Sequence, residues 1–351
     1  MKIILPLRKK IKFSRNGQLG LSLIELMVAV AISLLMMVAV LQLFLDVART
    51  NDEMAKTNAL IENGRFALQL LQNDVLHAGY WGELDNFIDD PTDIPDPCVV
   101  SGWNDAYKTN LIGIPVQGYA DGSALTACGV IGAQANSDVL VVRHANTCVA
   151  GGACDGGADT GPHIQVSGCR NVGNEAPYVI SSSAFPLRTK SCSLATPLAA
   201  ADTAPRRKVI SNIYYVASSS GVPTLMRVAL VNGIYAAPQP LIEGIESFRV
   251  EYGIDNLGKN SLAISASNPG DGSADEYVSC APCDLAQLAN VVAVKIHVLA
   301  RNLVSTPDYT DDKEYQLGDT PVIAAANDGF KRHVFSTTIR LNNPSGRREI
   351  P

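Results

Sequence analysis

The sequence predicts an α+β protein. One long N-terminal helix packs its C-terminal half on an antiparallel sheet, and a large disulfide-stapled insertion lies between them. Three observations predict this. Residues 21–45 are an apolar run with a single charge, Glu25. From Asp46 to Leu76 the chain has no proline and only one glycine, Gly64, and its apolar residues recur at helical spacing. From Val209 onward, short blocks rich in β-branched and aromatic residues alternate with turn residues.

The N-terminal run follows a leader that carries Lys2, Arg8, Lys9, Lys10, Lys12 and Arg15 and no acid. A bilayer is spanned by about 20 apolar residues. A cleaved secretory signal has an apolar core of only about 7–15 residues and a small-residue exit. The run is too long for the second and fits the first. The basic leader places the N-terminus in the cytoplasm and the bulk of the chain on the far side. Glu25 is the residue a plain anchor does not need, because an acid in hydrocarbon is costly. A cut after Gly20 would make Leu21 a cationic α-amine, with Glu25 four residues along on the same helix face. Where such helices pack away from water, Glu25 needs a cation, and a neighbour's new N-terminus can supply one. The plainer alternative is an anchor with a tolerated interfacial acid.

Gly20 followed by LSLIELMVAVAI resembles the class III signal of type IV prepilins: Gly at −1, an apolar residue at +1 and Glu at +5. Leu21 departs from the commoner Phe or Met. The resemblance implies cleavage between Gly20 and Leu21 by a prepilin peptidase, methylation of the Leu21 amine, and Glu25 as the assembly glutamate.

The helical pattern continues through Ala59, Leu60, Phe66, Leu70, Leu71 and Val75 until Gly79 and Gly82 end it. A helix over 21–76 would be about 84 Å long. Its first half, apolar all round, wants lipid or other helices. Its second half is amphipathic and should lay one face on a domain. The stretch ENGRFALQ at 62–69, then Asp74 and HAGYWG at 77–82, resembles the helix exit of PilW-type minor pilins. Phe66, Tyr80 and Trp81 are expected to be core residues where helix meets sheet, in preference to a binding role.

Residues 83–205 read as loop-rich, with one good strand at Val139–Arg143 and weaker ones at Ile112–Val116 and Tyr178–Ile180. Six cysteines lie here: Cys98, Cys128, Cys148, Cys154, Cys169 and Cys192. Cys280 and Cys283 complete an even set, which on the extracytoplasmic side implies disulfides of open connectivity. Cys280-Ala-Pro-Cys283 could be a redox pair or half of a zinc site, but no second C-x-x-C exists. The five histidines are scattered without ligand spacing, so a structural bridge is the plainer reading.

In the C-terminal part, Ile210–Ala217 and Leu225–Val231 flank a turn at 218–221. Gly244–Ile254, Val291–Ala300 and His333–Leu341 follow as strands without a helix between most of them, so the sheet is antiparallel. GIESFRVEYGID, VVAVKIHVLARN and RHVFSTTIRLNN with Arg347-Arg348 again resemble PilW-type proteins. The resemblance covers the helix and the C-terminal half well and 83–205 poorly. Between strands, Asp255, Asn256, Asn268, Asp271, Asp275 and Glu276 make an acidic loop. Oxygen ligands around a glycine suit calcium, with Asp271 and Asp275 the candidates, but the D-x-D-x-D-G order is missing, and a solvated turn is the plainer reading.

Losing the leader's six bases and no acid takes the formal charge from −6 to −12. An acidic ectodomain argues against a broad grip on nucleic acid. There is no Gly-x-Ser-x-Gly elbow, phosphate loop or H-E-x-x-H, so no catalytic residue is expected and no cofactor beyond the calcium candidate. The expected segments are a leader (1–20), a membrane half-helix (21–47), an amphipathic half with its exit (48–82), the cysteine-bearing insertion (83–205) and a sheet region (206–351).

The resemblance implies a structural subunit, not an enzyme. It would prime a type IV pilus or enter it near the tip, with other minor pilins, the major pilin, the prepilin peptidase, the inner-membrane assembly platform and a tip adhesin as partners. It would sit in the inner membrane with a periplasmic C-terminal domain before assembly. The alternatives are a type II secretion minor pseudopilin and, from another class, a membrane-anchored thiol oxidoreductase using Cys280 and Cys283.

Overall fold

The computed structural model describes residues 20, 22–84, 90–154, 160–169, 175–265, 267–280 and 282–349. The leader residues 1–19 and Leu21 therefore lie outside the described residues, and with them the methylation expectation. Two compact units divide the chain at Met54/Ala55.

Residues 23–54 of α1 (Leu23–His77) form the helix of the first unit. The apolar side chains from Leu23 to Val47 are exposed. The helix is long and apolar enough to cross a membrane by length and composition.

In the second unit the remainder of α1 buries Leu60, Gly64, Ala67, Leu71 and Val75. These steps of three and four residues put one stripe against a core. That core draws on two antiparallel sheets. The larger has eight strands, in the order β1 (Val116–Tyr119), β2 (Val139–Ala145), β5 (Arg206–Ser219), β3 (His163–Val166), β4 (Tyr178–Ser181). Also in it, β6 (Val222–Val231) pairs with β5, β7 (Ile234–Tyr235) and β8 (Gln239–Glu243). The smaller sheet orders β10 (Glu276–Val278), β9 (Ile245–Ile254), β11 (Val291–Arg301) and β12 (Arg332–Arg340). The described residues also form the short helices α2 (Asp105–Gly113), α3 (Leu285–Ala289) and α4 (Asn342–Arg348).

The expected strands at 139–143, 178–180, 210–217, 225–231, 244–254, 291–300 and 333–341 all have counterparts among these elements. Ser220 and Gly221 turn β5 into β6 with φ of 52° and 83°. Two successive positive values give the turn whose twist matches a hairpin. Asn232-Gly233 repeats this between β6 and β7, with φ of 52° and 78°.

Two expectations need correction. Ile112–Val116 is not a strand. Asn104 caps α2 by accepting from the Tyr107 N–H at 2.8 Å, the helix carries through Gly113, and only Val116 enters β1. Nor does residue 205 separate an insertion from a sheet. β2 and β3 both pair with β5, so residues 83–205 supply four strands of the larger sheet. They also cover its far face. Leu125, Cys128 and Val130 pack on Val139, Val141, Ile213 and Tyr215 there. Every residue of β2 is buried, which is why its sequence reads as a run and not as an alternation.

Candidate functional site

The N-terminal segment begins with Gly20, exposed and with nothing near its Cα that a side chain would meet. Ser22 and Glu25 then cap α1 reciprocally. The Ser22 N–H donates to Glu25 Oε2 at 3.0 Å, and the Glu25 N–H donates to Ser22 Oγ at 3.3 Å. This is the capping box written S-x-x-E. It folds the Glu25 carboxylate back over the first turn, next to the amide of the residue that follows Leu21. A negative group there also complements the helix dipole. Ser22 and Glu25 carry the S-x-x-E spacing of a capping box in the sequence itself.

The second cluster locks α1 to the sheets. Asp74 reaches off the helix to three donors on β2 and β5. His144 Nε2, Asn212 Nδ2 and Tyr214 Oη all stand 3.0 Å from its carboxylate. Burial works against the Asp74 charge. The hydrogen bond and charge of His144, with the bonds from Asn212 and Tyr214, outweigh it and hold the carboxyl below the usual range. Burial beside Asp74 in turn pushes the Tyr214 phenol well up.

The rest of the 62–82 stretch has equally local reasons. Gly64 lies against the Phe335 ring of β12, so closely that a Cβ would overlap it. Asn63 donates to the Glu243 carbonyl at 3.1 Å. The indole of Trp81, 1% exposed, donates to the Ile112 carbonyl. Tyr80 is half-buried under Arg207. Phe66 departs from the expectation of a core residue: it is 54% exposed, because the buried stripe runs through Gly64 and Ala67 instead.

The C-terminal residues reach the same junction. Asn343 donates to the Ala78 carbonyl at 3.2 Å, and Arg347 to that of Gly79 at 3.3 Å. Arg348 donates to Asp255 Oδ2, the Ala289 carbonyl and Asn290 Oδ1. The helix exit and the final arginines, far apart in sequence, are one clasp.

The eight cysteines form four bridges: Cys98–Cys128, Cys148–Cys154, Cys169–Cys192 and Cys280–Cys283. Cys283 is buried in the main core, ahead of the five-residue α3. Asp284 occupies the N-cap of α3, and a carboxylate there opposes the thiolate that redox chemistry would need. In the acidic loop, Asp275 Oδ2 accepts from the N–H groups of Asn256 and Leu257, and Asp271 Oδ1 from that of Ser273. Both carboxylates are turned toward their own loop. Among the described residues no three His, Cys, Asp or Glu side chains converge as metal ligands would.

Set against known proteins, residues 15–41 match the prokaryotic N-terminal methylation motif, and residues 213–343 match the family of type IV pilus-assembly protein W, PilW. The type IV-like pilin TTHA1219 from Thermus thermophilus is similar at 15% identity and a TM-score of 0.33, over 82% of this chain and 98% of that one. No curated protein matches. A methylation motif leading into an exposed apolar helix, whose continuation packs on antiparallel sheets, defines a type IV pilin-like subunit. Within that class, residues 213–343, from β5 into α4, resemble the PilW family. Such a protein has a structural role.

Proposed function

We propose that this chain is cut between Gly20 and Leu21, methylated at Leu21, and assembled into a type IV pilus as a rare subunit near the tip, or as the primer of its growth. The observation that carries the reading is the first unit: an apolar helix exposed from Leu23 to Val47, started by the Ser22–Glu25 box just past an exposed Gly20. Such a helix is stable only in lipid or among other apolar helices. Before assembly it would hold the chain in the inner membrane, with residues 55–351 in the periplasm, where four disulfides persist. In the filament it would pack among the helices of other minor pilins and the major pilin. The peptidase and the assembly platform are its expected membrane partners. Mass spectrometry of the N-terminal peptide from the native host tests this. N-methylated Leu21 is the expected result, and an intact Met1 terminus would overturn it.

A further inference from the structure

We propose that the open edge of β12 is a strand-addition site that receives an extended segment of a different subunit of the pilus assembly. This deepens the functional reading above and rests on it for the partner's identity. Among the described residues β12 pairs only with β11, in an unbroken register from Arg301↔Arg332 to Ala293↔Arg340. The Leu341 N–H donates to the Val292 carbonyl at 2.8 Å, and the Asn302 N–H to the Lys331 carbonyl at 3.0 Å. These two bonds set the phase of the strand, so its odd-numbered residues bond β11. Arg332, Val334, Ser336, Thr338 and Arg340 then aim both backbone groups outward. Among the described residues those groups have no backbone partner.

Natural sheets shield long edges with prolines, bulges, lysines or brevity. The other edges here follow that rule: β1 and β4 have four residues each, β10 has three, and β8 contains Pro240. β12 has nine residues, no proline, no bulge and no lysine. Ser336 and Thr338 are small and exposed, so the backbone beside them is accessible. An edge of this kind is the receptor half of strand addition.

A second copy of this chain does not fit. Antiparallel edge pairing between copies uses a two-fold axis normal to the sheet. That operation reverses a helix lying on the sheet face, and α1 is such a helix in the second unit. Two copies so paired would carry residues 55–77 of α1 antiparallel, whereas the subunits of one filament share one polarity. The occupant is therefore a segment of another chain. β12 contains no acid, and His333 is exposed at its start. Arg332 is already held by Glu246, Asp311 and Asp328, and Arg340 by Glu349. The segment that fits is proline-free, small or β-branched at alternate positions, and acidic where it passes His333.

The test replaces Thr338 in the full chain in its native host. Thr338→Pro removes an outward N–H without breaking an internal bond. Thr338→Val keeps that N–H and serves as the control. Each variant is scored for Leu21 methylation, thermal midpoint and presence in sheared pili. A photo-crosslinking residue at 338 identifies the neighbour by its linked peptide. We expect Thr338→Pro to be methylated and folded like the parent yet about tenfold depleted from pili, Thr338→Val to behave as the parent, and the crosslink to fall in one extended segment of another pilus subunit. Normal incorporation of a folded Thr338→Pro chain would overturn the proposal, as would a crosslink to a second copy. Unmethylated Leu21 in the parent chain would overturn the functional reading, and the partner assignment with it.

Discussion

Ser22 and Glu25 each satisfy the other's backbone: Ser22 N–H bonds Glu25 Oε2 at 3.0 Å, and Glu25 N–H bonds Ser22 Oγ at 3.3 Å. Glu25 therefore has two separable duties, a cap and a charge. Glutamine retains the reach of a capping box and lacks the charge. If the charge serves assembly, Glu25→Gln and Glu25→Val will both insert in the membrane and both fail in methylation or pilus incorporation. Recovery by Glu25→Gln would assign the residue to capping. Ser22→Ala should weaken the first turn by about 1 kcal/mol and leave processing intact.

Asp74 should dominate the attachment of α1 to the sheets. Its removal in Asp74→Ala leaves buried donors on β2 and β5 without an acceptor, a loss of about 3–5 kcal/mol. Denaturant titration of the mature chain measures it.

The same residue gives the fold an acid limit. The native Asp74 carboxyl is held below its usual value. A depressed native carboxylate contributes stability that is complete above the unfolded value, about 3.9, and is lost as pH falls through the native value. The stability gap between the parent chain and Asp74→Asn should be widest at neutral pH and should close in acid.

Gly64→Ala sets helix propensity against packing. Propensity alone favours alanine by about 1 kcal/mol. The added methyl would meet the Phe335 ring, so net destabilisation of about 1–3 kcal/mol is expected. Phe335→Leu in the same chain should restore part of it, which a double-mutant cycle on thermal midpoints will show.

Among the disulfides, Cys98–Cys128 spans 30 residues and Cys148–Cys154 only 6. Loop entropy assigns about 3–4 kcal/mol to the first and about 2 kcal/mol to the second. The Cys98–Cys128 bridge also ties down the cover over β2 and β5. Replacing Cys98 and Cys128 with alanine should lower the thermal midpoint more than replacing Cys148 and Cys154.

Much of this architecture was legible from periodicity. Apolar spacing of three and four residues located the α1 stripe, and the blocks after Val209 located β5, β6, β9, β11 and β12. Phe66 departs from the expected core because a large aromatic in a helical pattern reads as buried. Its position between Gly64 and Ala67 turns it outward. Within 83–205 the loop-rich pattern hides one strand for the opposite reason. β3, four residues long, is too short for a pattern and finds its place only by pairing with β5 and β4.

The sequence by itself determined what depends on neighbours along the chain: the exposed apolar helix, its start at the Ser22–Glu25 box, its amphipathic continuation and the hairpin turns at Ser220-Gly221 and Asn232-Gly233. These follow from interactions within a few residues, which composition and spacing encode directly. Only the tertiary structure decided which cysteines pair, that Asp74 answers His144, Asn212 and Tyr214, that Arg347 and Arg348 close on the helix exit and on Asp255, and that β12 is left as an open edge. Apart from the short Cys148–Cys154 and Cys280–Cys283 bridges, those partners lie tens to hundreds of residues apart. They meet because burying the α1 stripe from Leu60 to Val75 in a core shared with both sheets forces each buried polar group to find a hydrogen bond wherever the packed chain offers one.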